Sequence, residues 1–299
     1  MRKTILVLFA SLLAVAALAN ADDVEKFGGK VKVDRDRLHA MKKVAIIQMS
    51  GVVKVGNEPK ELTEIAATAL VEQLKAHGYE VVTGQQVVDA FAQVVTSANP
   101  QKLRQELIEK GGKSPEEADY IAGHWAEFLE AKEELKNMLT SKTYYVPGSV
   151  DLYLPDLDPK IDPKKPRIQK PTEKEVHERV MKLAEALGVD ACITAEFGFG
   201  AFQYHDPTFQ QAQRSNGRET AGLLPALNEM RALKKGEQAT ANVGFNVYER
   251  DGKNICEAVG SVATKEGAGF TFSRKKVTED LMPVAAQGLP RAMFERLEK

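Results

Sequence analysis

The residues of this chain with the most chemical potential are five histidines, two cysteines and one serine–lysine pair, and their spacing decides what they can do. His39, His77, His124, His177 and His205 include no pair at i, i+4. None belongs to an HExxH motif or to a Cys/His ligand spacing, so no metal site is predicted. His205 and Asp206 adjoin Tyr204 in a loop, but two ligands are fewer than the three or four a metal centre takes. His77 precedes a helix-ending glycine, where a cation favours the helix dipole, and a structural role accounts for it. Ser273-Arg274-Lys275-Lys276 has the S-x-x-K form without the S-D-N and K-T-G partners that give it catalytic meaning. No G-x-S-x-G is present, and no GxGxxG or GxxxxGK[ST] accompanies the loop from Ser50 to Pro59. The sequence therefore assigns no catalytic residue and no cofactor.

Two groups of residues are candidates for binding instead. Phe197-Gly198-Phe199-Gly200-Ala201-Phe202 is followed by Tyr204 and His205, so Phe199, Phe202, Tyr204 and His205 could line a ligand pocket. The competing reading is a strand end whose glycines permit close packing. Trp125 and Phe128 lie on an amphipathic helix and could meet a protein partner. Cys192 and Cys256 allow one disulfide. Both fall on predicted strands, Cys192 on the face of Thr194 and Glu196, and Cys256 on the face of Val247 and Phe245. Two buried free thiols are the first expectation and a bridge the second.

The elements that must position these residues begin with Val44–Met49, an apolar run without alternation, as in a strand covered on both faces. Leu62, Ile65, Ala66, Ala69, Leu70 and Leu74 follow at helical spacing, Gly78 closes the helix, and Glu80-Val81-Val82 returns as a strand. This is a βαβ crossover with parallel strands. The same grammar recurs where a Thr172-x-x-Glu175 capping box opens a helix that ends at Gly188 before the strand Val189–Phe197. Thr83-x-x-Gln86 reads as another capping box, and Asn99-Pro100 and Ser114-Pro115-Glu116-Glu117 as further helix starts. The prolines and charges between Tyr144 and Pro171 read as an extended, solvated connector, making about 97–171 a helical and Pro-rich insertion. Its Pro163-Lys164-Lys165-Pro166 is a single P-x-x-P.

Alternation over Ala239–Val247 marks a strand with one buried face, and Asp251-Gly252 supplies a hairpin turn. That turn pairs Val247 with Cys256, Phe245 with Ala258 and Val243 with Gly260. A final helix carries Leu281 to Leu297. The fold class expected is α/β (α+β): a mixed sheet of about five strands with helices packed on it, a C-terminal β-hairpin and a closing helix.

Arg2 and Lys3 precede an apolar run from Ile5 to Leu18, and Ala19-Asn20-Ala21 has the small-x-small form of a cleavage site, so residues 1–21 read as a secretory signal peptide. The run is too short for a membrane span. No cysteine follows it to take a lipid anchor. Without those residues 39 basic and 42 acidic side chains remain. That balance gives no electrostatic footprint for nucleic acid or anionic membrane. Residues 22–41 read as a flexible arm, and 42–299 as a single α/β domain.

Val44–Met49, Leu62–Val82 and Leu187-Gly188-Val189-Asp190-Ala191-Cys192-Ile193-Thr194 together resemble a cell-envelope α/β domain. It is shared by the curli secretion channel lipoprotein, the outer-membrane activators of penicillin-binding proteins and the N-terminal domain of the Tol translocation protein. In that group the second helix ends in Gly-Ala-Asp before a strand; here the residues are Gly188-Val189-Asp190. The chain departs from the group in lacking the lipobox cysteine and in carrying the insertion. The resemblance implies a non-enzymatic periplasmic or secreted protein that works by binding another envelope component. The insertion helix around Trp125 and the free hairpin edge are the surfaces expected to meet that protein partner. The alternatives are a periplasmic hydrolase or small-ligand binder with its site near Phe199–His205, and assembly into a homo-oligomer.

Overall fold

A computed structural model describes residues 24–53, 60–125, 142–155, 171–202, 238–265 and 277–299. The predicted signal peptide, Phe128, Tyr204, His205, Ser273 and the P-x-x-P lie outside the described residues. The strands are β1 (Gly28–Val33), β2 (Lys43–Val53), β3 (Glu80–Val82), β4 (Lys142–Tyr145), β5 (Ala191–Phe202), β6 (Gln238–Glu249) and β7 (Asn254–Ala263). The helices are α1 (Arg35–Ala40), α2 (Lys60–Ala76), α3 (Gln85–Val94), α4 (Pro100–Glu109), α5 (115–125), α6 (Glu173–Leu187) and α7 (Met282–Leu297).

All seven strands form one mixed sheet in the order β1-β7-β6-β5-β2-β3, with β4 also on β2. β2 is parallel to β3 and to β5, while β5–β6, β6–β7, β7–β1 and β2–β4 are antiparallel. Ile46 pairs with Ile193 and Val44 with Val81, so both helix–glycine–strand units share this sheet. Each unit turns the same way. Tyr79 N–H donates to Leu74 and Gly78 N–H to Lys75; Val189 N–H donates to Ala184 and Gly188 N–H to Glu185. Gly78 and Gly188 have φ of 87° and 60°, the left-handed backbone such a helix end needs.

The crossovers cover opposite faces. On the first, α2 and α7 pack over Val44, Ile46, Ile193, Phe197, Phe245 and Cys256. Leu289, Met293 and Leu297 of α7 are buried there, each worth about 1.5–3 kcal/mol. On the second, α3 and α6 cover Ala45, Ile47 and Cys192. Leu103, Leu107, Ala118, Ile121, Ala122 and Trp125 of α4 and α5 form a separate small cluster.

The α/β class is as expected, a mixed sheet with helices packed on it. It counts seven described strands, the two beyond the expected set being the edge strands β1 and β4, which draw their order from partners. Three expectations are corrected. The arm expected at 22–41 is instead β1 and α1, anchored by buried Val24 and Phe27, and β1 covers the hairpin edge expected to be free. The start of the connector expected between Tyr144 and Pro171 belongs instead to the core: β4 (Lys142–Tyr145) pairs with β2, and Val146, Val150 and Leu152 are buried. Finally, α3 is capped by Gly84, with no side-chain bond from Thr83. The hairpin register is as predicted at Val247–Cys256, Phe245–Ala258 and Val243–Gly260, with an irregularity between Val247 and Tyr248.

Candidate functional site

Among the described residues, α3 and α6 cover the second face over the beginnings of β2 and β5. Beyond them the side chains are mostly polar in register across five strands, Gly244 and Val259 excepted. One row runs Gln48, Thr194, Asn246, Glu257, Lys32, and the next runs Ser50, Glu196, Gly244, Val259, Lys30. Alternation of β5 and β6 accounts for most of this, since Ala195, Phe197, Val243 and Phe245 take the apolar face. Gln48 reaches the polar face by another device. Ile46 pairs with Ile193 and Gln48 with Thr194, so Ile47 is an extra residue in β2. That bulge inverts the alternation and sets Gln48 beside Thr194 rather than in the apolar core.

Over these rows lies a cleft of about 360 Å³. Gln48, Thr194, Glu196, Gly244 and Asn246 contribute from the sheet, Leu152 and Tyr153 from the segment after β4, and Glu173, Val176, His177 and Val180 from α6, with Tyr248 beside them. The segment is held by polar contacts to both layers. Arg179, itself buried, donates from Nη1 to the carbonyls of Leu152 and Leu154, each at 2.7 Å. Leu152 N–H donates to Gln48 Oε1 at 3.3 Å, Val150 N–H to Ile47 at 3.0 Å and Val146 N–H to Met49 at 2.9 Å. Met49 N–H in turn donates to Ser149 Oγ at 3.0 Å. The α6 wall is fixed by its capping box, in which Glu175 N–H donates to Thr172 Oγ1 and Thr172 N–H to Glu175 Oε2. The His177 ring lies edge-on to Tyr248, with centroids 6.0 Å apart. It also packs on Gly252 of the hairpin turn (φ 83°), where a Cβ would come within 2.5 Å of the imidazole.

Burial, then the charges of Tyr153 and Glu257, raise the Tyr248 phenol above its ordinary value, while a bond with Thr194 opposes this. The phenol thus stays protonated and able to donate at neutral pH. No group of three or more His, Cys, Asp or Glu able to hold a metal occurs among the described residues.

The residues singled out from sequence are placed elsewhere. Phe199 packs, half-buried, against the apolar face, away from this cleft. Phe202 ends β5, and Tyr204 and His205 are not among the described residues. Trp125 is 5% exposed inside the α4–α5 cluster, so it is core to that hairpin rather than a surface for a partner. The exposed aromatic of α5 is Tyr120, at 66%, stacked on His124. Cys192 and Cys256 are buried free thiols in the two clusters on opposite faces. Sequence reasoning did place Glu196 and Thr194 on one face. It missed Gln48, whose bulge is hidden in an apolar run, and Tyr153, whose segment read as connector. No helix among the described residues is long and apolar enough to cross a membrane. Comparison of the chain with protein-family models, with curated proteins and with solved structures finds no match.

Proposed function

We propose that this protein is a non-enzymatic, exported factor of the cell envelope that binds another envelope protein through the polar cleft and the sheet rows beside it. The observation that carries this reading is the second face, which among the described residues is covered over only part of its area. A sheet that buries apolar residues under α3 and α6 presents Gln48, Thr194, Glu196 and Asn246 beyond them, framed by Tyr153 and Tyr248. Polar groups held on strands, with an aromatic wall, suit recognition that needs fixed positions rather than loop adaptation. The N-terminal sequence supports export, and the order of elements resembles envelope domains that work by association. Periplasmic or secreted location and possible self-association are parts of this proposal.

A second reading, a small-ligand binder using the same cleft, is favoured by its volume, which falls within the usual range for such sites.

The test is affinity capture from envelope extract with purified wild type and with Asn246→Arg and Glu196→Lys. Glu196 is exposed and Asn246 only partly buried, so both variants are expected to fold, which circular dichroism checks. One protein retained by wild type and lost from both variants is the expected result. A partner retained equally by all three would remove the cleft from the account. Deleting 97–171 is not a useful variant, since it removes β4 and the Arg179-held wall.

A further inference from the structure

We infer that the cleft recognises a guanidinium group, presented as an arginine side chain of the bound protein. This deepens the reading of the cleft as the binding surface and rests on it. Among the described residues, the cleft's carboxylates are Glu196 on β5 and Glu173 on α6, and no lysine or arginine lines it. Among the described residues neither carboxylate is paired with a cation. Lys174, adjacent in sequence, is directed instead to Glu178, 3.9 Å away. An anion is disfavoured by the two carboxylates, and two N–H groups at the start of α6, those of Thr172 and Glu175, are engaged by its own capping box. A divalent metal is disfavoured by the lack of a third ligand among the described residues.

What distinguishes a guanidinium from an ammonium is the rest of the wall. Tyr153 is 47% exposed and Tyr248 half-buried, giving ring surface on which a planar cation stacks. Gln48 Oε1 and Asn246 Oδ1 accept bonds from Leu152 and Asn254, so those amides are fixed in place. A forked donor can use a carboxylate edge and such carbonyl oxygens together, which a point charge does less well. The glycine at 244 adds no side chain between Glu196 and its neighbour on β7, and a Cβ there would meet open space.

The experiment titrates isotope-labelled protein with argininamide, lysinamide and the neutral isostere citrullinamide, read by amide chemical shifts. Argininamide is expected to shift the amides of Gln48, Thr194, Glu196 and Asn246, with citrullinamide about tenfold weaker. Glu196→Gln is expected to weaken argininamide about threefold or more. Tyr153→Ala, at an exposed position, is expected to weaken argininamide more than lysinamide. Equal binding of argininamide and citrullinamide, or shifts confined to other surfaces, would overturn the inference. If a captured envelope protein still depends on Glu196 and Asn246 while argininamide gives no shift, only the guanidinium inference fails. If neither dependence appears, the cleft reading fails with it.

Discussion

Asp190 shows how one side chain joins the sheet's principal pair. Its carboxylate accepts the N–H groups of Lys42 and Lys43 at 2.9 Å each, its own N–H donates to Lys43, and its carbonyl accepts from Arg250 in the hairpin turn. The starts of β2 and β5 and the β6–β7 turn thus meet at the residue following Gly188-Val189. The Lys43 amide, then the Lys42 amide, hold its carboxyl below the ordinary carboxylate value. A lowered value stabilises the fold above the unfolded pKa of about 3.9, and that contribution is lost as pH falls through the folded value. Asp190→Ala is expected to cost about 1–2 kcal/mol at neutral pH in urea unfolding, with the gap to wild type narrowing below about pH 4.

The thiols behave oppositely. Burial pushes Cys192 and Cys256 up to about 12. Both therefore remain neutral in the folded chain where unfolded thiols ionise. Their contribution is present below the unfolded value near 9 and lost as pH rises toward 12. Iodoacetamide at pH 8 is expected to label neither cysteine in the native protein and both in denaturant; rapid native labelling would place them outside the core.

At the scale of elements, legibility followed locality. The boxes at Ser114 and Thr172, the Asn99 cap and the glycine ends at Gly78 and Gly188 could be read because their bonds lie within a few residues. The hairpin register could be read because β6 alternates and Asp251-Gly252 marks its turn. β1 and β4 could not, since Gly-Gly-Lys-Val-Lys-Val and Lys-Thr-Tyr-Tyr become strands by pairing with β7 and β2. The Ile47 bulge left no mark in an unbroken apolar run, so the Gln48 position in the site was illegible too. Lys30 and Lys32 also explain why β1 can end the sheet safely, as edge lysines oppose strand-to-strand association. Removing residues 22–33 is expected to expose the β7 edge and lose the burial of Val24 and Phe27. That burial is worth about 3–6 kcal/mol. Size-exclusion chromatography and urea unfolding of the truncated chain check this. An unchanged elution volume with unchanged stability would contradict the role given to β1.

For the whole molecule, one sheet serves two purposes because its faces are covered unequally. The first face, under α2 and α7, provides the large core. The second is roofed by α3 and α6 over its apolar part and gives way to polar rows where the Arg179-held segment forms a wall. α4 and α5 pack on each other, so the insertion contributes to the site through residues 142–155 rather than through Trp125.

The most direct measurement is photo-crosslinking in intact cells, with a benzophenone amino acid placed in turn at Tyr153, Glu196 and Asn246 on the cleft and at Tyr120 on α5. The account predicts one discrete envelope-protein adduct from the three cleft positions and none from Tyr120. An adduct from Tyr120 alone, with the cleft positions silent, would contradict it.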